Sequence, residues 1–202
     1  MKYQQVASQN LSKSLKFFHP TIPFLVTTKN EGDSLNIAPF SWGNPVSYSP
    51  PKMSLALYNK SPDKSESLKN IKREREYVVN FINKNMTPKL ARASFDYPEN
   101  FNKFDELEFE PVEAKSIETP GIKRAMAHME CEVDFIRKTG DHDLIIADIV
   151  AANFIPDNYT EEFILDLNKV SPLIHLDQMS KGNGEFHFVI NSDGCAIYDV
   201  GK

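Results

Sequence analysis

With 202 residues, 41% of them hydrophobic and 25% charged, the chain has an ordinary globular composition with enough apolar material for a core. A formal net charge of -5 and a pI near 5.6 argue against a nucleic-acid footprint. No apolar run approaches the roughly 20 residues of a membrane helix, and the length fits a single domain over 1–202. The opening residues lack the apolar centre of a signal peptide. Cys131 and Cys195 fit neither a disulfide framework nor a CxxC motif, so reduced thiols in a cytoplasmic protein are expected.

Residues 1–20 read as a lead-in whose core candidates are Leu15, Phe17 and Phe18. Residues 23–28 are apolar and β-branched and predict a strand, and 29–34, with Gly32 and Asp33, predict a turn. Leu35 then starts a returning strand through Asn36, Ile37, Ala38, Pro39 and Phe40 towards Ser41. Pro39 has no N–H for a ladder, which marks an edge, a bulge or the point where backbone leaves the sheet. Small and polar Asn36, Ala38 and Ser41 beside Phe40 and Trp42 suit a flat ligand with polar edges.

Residues 44–51 hold too many prolines for a helix interior or a central strand. Residues 52–58 alternate, with Met53, Leu55 and Leu57 inward and Lys52, Ser54 and Ala56 outward. After a polar turn, Ser65 or Ser67 is placed to cap a helix through Leu68, Ile71 and Lys72. YVVNFI at 77–82 predicts the least ambiguous strand. Residues 87–94 predict a short helix with Leu90 and Ala91 inward, 96–104 an irregular loop, and 105–109 a weak helical turn. Alternation over 127–136 puts Met129, Cys131, Val133 and Phe135 on a buried face. A turn at 140–143, a strand at 144–152, a short helix within 158–168 and a hairpin of 186–190 with 196–198 complete the chain. Many short strands with few helices predict a mainly β, α+β architecture, an antiparallel barrel or sandwich carrying helical insertions.

None of the 8 glycines stands in GxGxxG or GxxxxGK spacing, which argues against a Rossmann or phosphate-loop site. No two of His19, His128, His142, His175 and His187 share the i, i+4 spacing of a helical metal pair, and no metal is expected. No GxSxG elbow occurs, and Cys131 faces inward with no basic neighbour. Asp141-His142-Asp143 sets a histidine between two carboxylates, which raise its pKa if they lie near the ring. A turn's preference for polar residues explains the same triplet. Likewise 61–70, with Lys60, Lys64, Ser65, Ser67 and Lys69, offers an anion hydroxyls, a helix start and charge, or is simply a capped and solvated helix.

PFLVTT at 23–28, NIAPFS at 36–41, Pro50-Pro51, SLKNI at 67–71, YVVN at 77–80, ECE at 130–132, GDH at 140–142 and SPLIH at 171–175 form an ordered set. Through them the chain resembles, over most of its length, the flavin reductase-like FMN-binding proteins that include flavoredoxin. The resemblance implies an FMN-binding split β-barrel, an antiparallel Greek-key barrel with a few short helices. It implies non-covalent FMN, with Asn36, Ile37, Ala38, Pro39, Phe40 and Ser41 beside the ring and ribityl chain, largely through backbone groups. Leu57, Asn59, Lys60 and Lys64, with Ser67 in place of the family's helix-start threonine, would serve the phosphate. Asn80 and Phe81 would border the pocket, and His142 would be the catalytic side chain near the flavin or the nicotinamide approach.

The implied activity is an NAD(P)H-dependent flavin reductase or a flavoredoxin-like electron carrier, homodimeric, with NAD(P)H as a transient co-substrate and a flavin or redox partner as acceptor. The alternative is a module that holds FMN without reducing it; a pyridoxamine-phosphate-oxidase-like enzyme fits the motifs less well. Two departures stand out. Where many relatives carry KDT this chain has Ser65-Glu66-Ser67, leaving Lys60, Lys64 or Lys69 to compensate. Where relatives have Gly-Gly and an aromatic it has Asp177-Gln178-Met179-Ser180, with a longer loop to Phe186 expected.

Overall fold

The computed structural model describes residues 1–32, 34–59, 65–181, 184–191 and 194–199, with side chains described through residue 176. A 3-10 helix over Ser8–Phe18 leads into β1 (Phe24–Lys29), β2 (Leu35–Phe40), β3 (Gly43–Tyr48) and β4 (Pro51–Tyr58). Helix α1 (Glu66–Glu74) precedes β5 (Glu76–Phe81), and α2 (Thr87–Ala93) and α3 (Lys103–Glu106) follow it. The short pair β6 (Pro111–Val112) and β7 (Gly121–Ile122) comes next, then the long strands β8 (Ala127–Thr139) and β9 (His142–Phe154). Strands β10 (Ile174–Lys181), β11 (Gly184–Asn191) and β12 (Gly194–Asp199) form a separate antiparallel sheet. No helix among the described residues is long and apolar enough to cross a membrane.

The main sheet has seven strands in the order β2-β1-β5-β8-β9-β4-β3, antiparallel throughout. Its two edges, β2 and β3, are consecutive in the chain and joined by Ser41 and Trp42 alone. Laid flat, six interstrand steps of about 4.8 Å would separate those edges by roughly 29 Å. Three Cα–Cα steps from Phe40 to Gly43 reach at most about 11 Å. The sheet must therefore curl until its edges meet at this connection, which makes it the split barrel the motifs imply. Ala56 N donates to Trp42 O at 2.9 Å and fixes the seam to β4.

Pro39 sits on an edge strand, as its missing N–H predicts, but the β1–β2 ladder runs on through Phe24 and Phe40. Backbone leaves the sheet at Ser41, not at Pro39. The proline-rich stretch forms the other edge, β3, with a register shift between Pro45 and Ser47.

Residues of β1 alternate between two cores, which explains its unbroken apolar run. Phe24 and Val26 point into the barrel with Met53, Leu55, Leu57, Tyr77, Cys131 and Ile145, under Leu68 and Ile71 of α1. Leu25 points outward with Ile37 into a second core closed by Leu90 of α2, Phe104 of α3 and Leu107. Helix α1 stops where Arg75 turns left-handed at φ 62. Gly43 begins β3 so close to Phe24 that an added Cβ would lie 2.7 Å from the ring and 3.1 Å from Ser54 O. Gly43→Ala is expected to lower stability by about 1–2 kcal/mol through overpacking at the seam, measurable by urea melts.

Several expectations need correction. Phe17 and Phe18 are 76% and 80% exposed and Leu15 is exposed too, because the leading 3-10 helix buries none of its side chains. Strand β8 has register shifts at Glu130/Cys131 and Val133/Phe135, each of which breaks the two-residue alternation. Glu130 is consequently buried beside Cys131, Phe135 is 46% exposed, and Ile136 packs on the core in its place. The helix expected within 158–168 is instead a 3-10 turn at Pro156–Asn158 followed by turns, with Phe163 left-handed at φ 62. The loop expected over 177–186 is mostly strand, the β10–β11 hairpin. Residues 103–106, placed in loop and turn, form α3, whose start is capped by the Asn102 side chain accepting from Phe104 N.

Candidate functional site

As an edge strand, β2 leaves alternate N–H and C=O groups without a strand partner. Across a cavity of about 250 Å³ it faces the start of α1, residues 93–97 and Lys103 of α3. Asn36, Ala38, Pro39 and Phe40 form the β2 wall; Ser65, Glu66 and Ser67 form the α1 wall.

Asn36 is only 1% exposed. Its Nδ2 donates to Ser67 Oγ at 2.8 Å and to Thr28 Oγ1 at 3.2 Å. Asn70 Nδ2 donates to the same Thr28 oxygen at 3.0 Å and to Asn30 Oδ1 at 2.8 Å, while Arg73 Nη2 donates to Asn70 Oδ1 at 3.1 Å. This amide network clamps α1 onto the β1–β2 hairpin. Asn36 Oδ1 is buried with no hydrogen-bond partner among the described residues, at a cost of about 1–3 kcal/mol. Ser67 Oγ, having accepted from Asn36, keeps its own O–H to donate.

Lys103 lines the same cavity at 7% exposure, its ammonium 5.1 Å from the centre of the Tyr97 ring. Burial holds its pKa below the ordinary lysine value, against the opposing pull of the Glu66 and Asp96 carboxylates. Nothing in the sequence around Lys103 separates it from a surface lysine; only the packing of Phe104 and Leu107 into the second core turns it inward.

A second cluster lies across the seam. The His142 ring stacks on Trp42 at 4.7 Å and 16° and meets Tyr58 edge-on at 5.5 Å. Asp141 Oδ1 lies 2.8 Å from His142 Nδ1. Asp143 does not flank the ring, because consecutive residues of β9 point to opposite faces. It is buried, accepts from Asn59 Nδ2 at 2.5 Å and pairs with Lys72 Nζ at 2.7 Å. Burial pushes the Asp143 carboxyl up, but the Lys72 and Asn59 bonds outweigh it and leave the pKa lowered.

The structure thus gathers Asn36, Ala38, Pro39, Phe40 and Ser67 around one cavity and sets the other expected residues elsewhere. The Ile37 and Leu57 side chains lie in the two cores. Ser41 Oγ is 3.0 Å from His175 Nδ1, Asn59 serves Asp143, and Lys60 and Lys64 fall outside the described residues. Lys69 pairs with Glu99 and lines a different, charged cleft. Phe81 borders an apolar cavity of about 420 Å³ with His128, Phe154 and Tyr159.

Asn80 is fully buried: Nδ2 donates to Leu25 O and Val78 O, both at 3.2 Å, and Oδ1 accepts from Ile122 N at 2.7 Å. It is one of several side chains that strap residues 115–122 to the sheet. Thr27 Oγ1 donates to Pro120 O, Glu76 accepts from Thr119 N, and Glu130 accepts from the N–H groups of Lys115 and Ser116. The YVVN and ECE motifs therefore contribute struts. Among the described residues no group of three His, Cys, Asp or Glu is placed to hold a metal.

A family model described as "Flavin reductase like domain" matches residues 17–182. The chain belongs to the flavin reductase-like family. Nitrilotriacetate monooxygenase component B from Bacillus cereus superposes with a TM-score of 0.76 at 20% identity, covering 100% of this chain and 96% of that one. Flavoredoxin of Desulfovibrio vulgaris (Miyazaki F) gives 0.71 at 19% identity, covering 100% and 94%. At such identities these likenesses establish the split-barrel fold.

Among curated relatives of this flavin reductase-like chain, an uncharacterized protein of Aquifex aeolicus is 29% identical over 109 residues, 54% of this chain and 56% of that protein. The uncharacterized protein YwrF of Bacillus subtilis is 26% identical over 131 residues, 64% of each. The alignments thus span less than two thirds of both relatives.

Proposed function

We propose that the protein is an FMN flavoprotein that takes hydride from NAD(P)H and passes electrons to a free flavin or a redox partner. Family membership supports flavin-related oxidoreductase chemistry in general. The observation that carries the specific reading is the β2–α1 cavity, where an unpaired edge strand faces a helix start and the Ser67 hydroxyl, already an acceptor for Asn36 Nδ2, keeps a proton to donate. A flavin suits that set: its ring imide and ribityl hydroxyls donate, its phosphate accepts, and an edge strand offers unpaired backbone to its polar rim. Asn36, Ala38, Pro39 and Phe40 would border the ring and ribityl chain, and Ser67 the phosphate.

When bound, FMN supplies the two-electron chemistry. The chain's own part is to orient it along β2, and His142, held at Nδ1 by Asp141, offers a hydrogen bond or proton beside the Trp42 face. We take FMN over FAD in keeping with the FMN-binding protein of Thermus thermophilus, whose fold matches with a TM-score of 0.68. A homodimer would cover exposed apolar side chains such as Phe17, Phe18 and Phe163.

Likeness to flavoredoxin favours a second reading, a carrier that holds FMN without turning over NAD(P)H. Anaerobic rapid mixing of FMN-loaded protein with NADH and NADPH separates the two. Bleaching of the flavin band is expected; full occupancy without bleaching selects the carrier, and failure to take up FMN removes both.

A further inference from the structure

We infer that Lys103 is the cation that holds the anionic end of the ligand in the β2–α1 cavity, a phosphate monoester. The inference rests on the flavin reading of that cavity and names a residue that neither the family motifs nor the sequence assigned.

Lys103 is more than nine-tenths buried, yet among the described residues no carboxylate lies within 4.0 Å of its ammonium and no hydrogen bond engages it. An ammonium taken out of water without such a partner is costly, and the Tyr97 ring offsets only part of the loss. The carboxylates nearest in effect, Glu66 and Asp96, share the cavity wall but act on it from a distance. Glu66 is turned to the neighbouring loop, where Asn100 N donates to its Oε1 at 2.5 Å.

Among the described residues, the other cations on α1 are engaged. Lys69 is paired with Glu99, Lys72 with Asp143, and Arg73 with Glu74 and the carbonyl of Lys29. Lys103 is the one basic side chain among the described residues lining the cavity. It shares that wall with the Ser67 hydroxyl and with the start of α1, where the Ser65 side chain makes no capping bond. An ammonium, a hydroxyl and backbone N–H groups at a helix start are the donor set that a phosphate dianion takes. With two carboxylates on the same wall, Lys103 is also what makes the cavity hospitable to an anion at all.

The decisive comparison is FMN against riboflavin, which has the same ring and ribityl chain without the phosphate. Both are titrated into wild type, Lys103→Met and Lys103→Arg, and read by flavin fluorescence and absorbance. Wild type should prefer FMN. Lys103→Met should weaken FMN on the order of tenfold or more while leaving riboflavin within about twofold, and Lys103→Arg should keep the preference. Equal loss for both flavins, or no change for either, overturns the assignment while leaving the flavin reading standing. A wild type that binds neither flavin overturns the flavin reading and this assignment with it. Should Lys103→Met fail to fold, Lys103→Gln carries the same comparison: weaker FMN binding with riboflavin spared is expected, and parallel behaviour of the two flavins overturns the inference.

Discussion

Glu130→Ala is expected to lower the stability of the fold by about 3 kcal/mol or more, seen as a lower urea midpoint with an unchanged slope. Glu130 is fully buried on β8 and accepts from Lys115 N at 2.9 Å, from Ser116 N at 2.7 Å and from Asn153 Nδ2 at 3.3 Å. Removing it strands two backbone donors of the 115–122 strap, at roughly 1–3 kcal/mol for each group left without a partner, while Asn153 Nδ2 keeps His128 Nε2 at 3.1 Å. Flavin affinity of the surviving folded protein should hardly change, because Glu130 lies outside the β2–α1 cavity. A variant of wild-type stability would mean that the strap is held by Glu76, Thr27 and Asn80 without its help.

Ser67→Ala should weaken FMN binding on the order of 1–3 kcal/mol, roughly 5- to 150-fold in Kd, the range for a hydrogen bond to a charged group. The hydroxyl already accepts from Asn36 Nδ2 at 2.8 Å, so its proton is available for an acceptor in the cavity. The substitution also leaves Asn36 Nδ2 with Thr28 as its remaining acceptor, so a modest loss of stability should accompany it. Titration with riboflavin tells the effects apart: loss of a phosphate contact spares riboflavin, whereas a loosened Asn36 harms both flavins. An unchanged Kd for FMN would move the phosphate contact away from α1.

Much of the architecture is legible in the chain, for identifiable reasons. Residues 52–58 announce themselves by sending one clean face into the barrel core, 77–82 by an apolar run buried on both faces, and α1 through Leu68 and Ile71. Strand β8 misleads because each register shift moves the following side chains to the opposite face, and no local residue marks where the shift falls. The cavity wall at 36–40 shows through the family motif, yet the fate of each polar group depends on contacts 8 to 31 positions away, such as Asn36 with Thr28 and Ser67. Asn80 looks like a ligand residue until Ile122 N is seen to occupy its carbonyl. Lys103 shows the converse: its neighbours pack, and the charge is carried inward with them. The pairing of His142 with Trp42 joins residues 100 positions apart, which no motif spacing encodes.

The two-residue seam has one more consequence. Phe40 forms part of the cavity wall and Trp42, two positions on, is the only tryptophan in the chain. A link so short leaves no slack to absorb a shift of β2, so displacement of the wall is carried into the indole and the imidazole stacked on it. Trp42 emission is therefore expected to shift when a ligand fills the cavity, which a fluorescence titration would read.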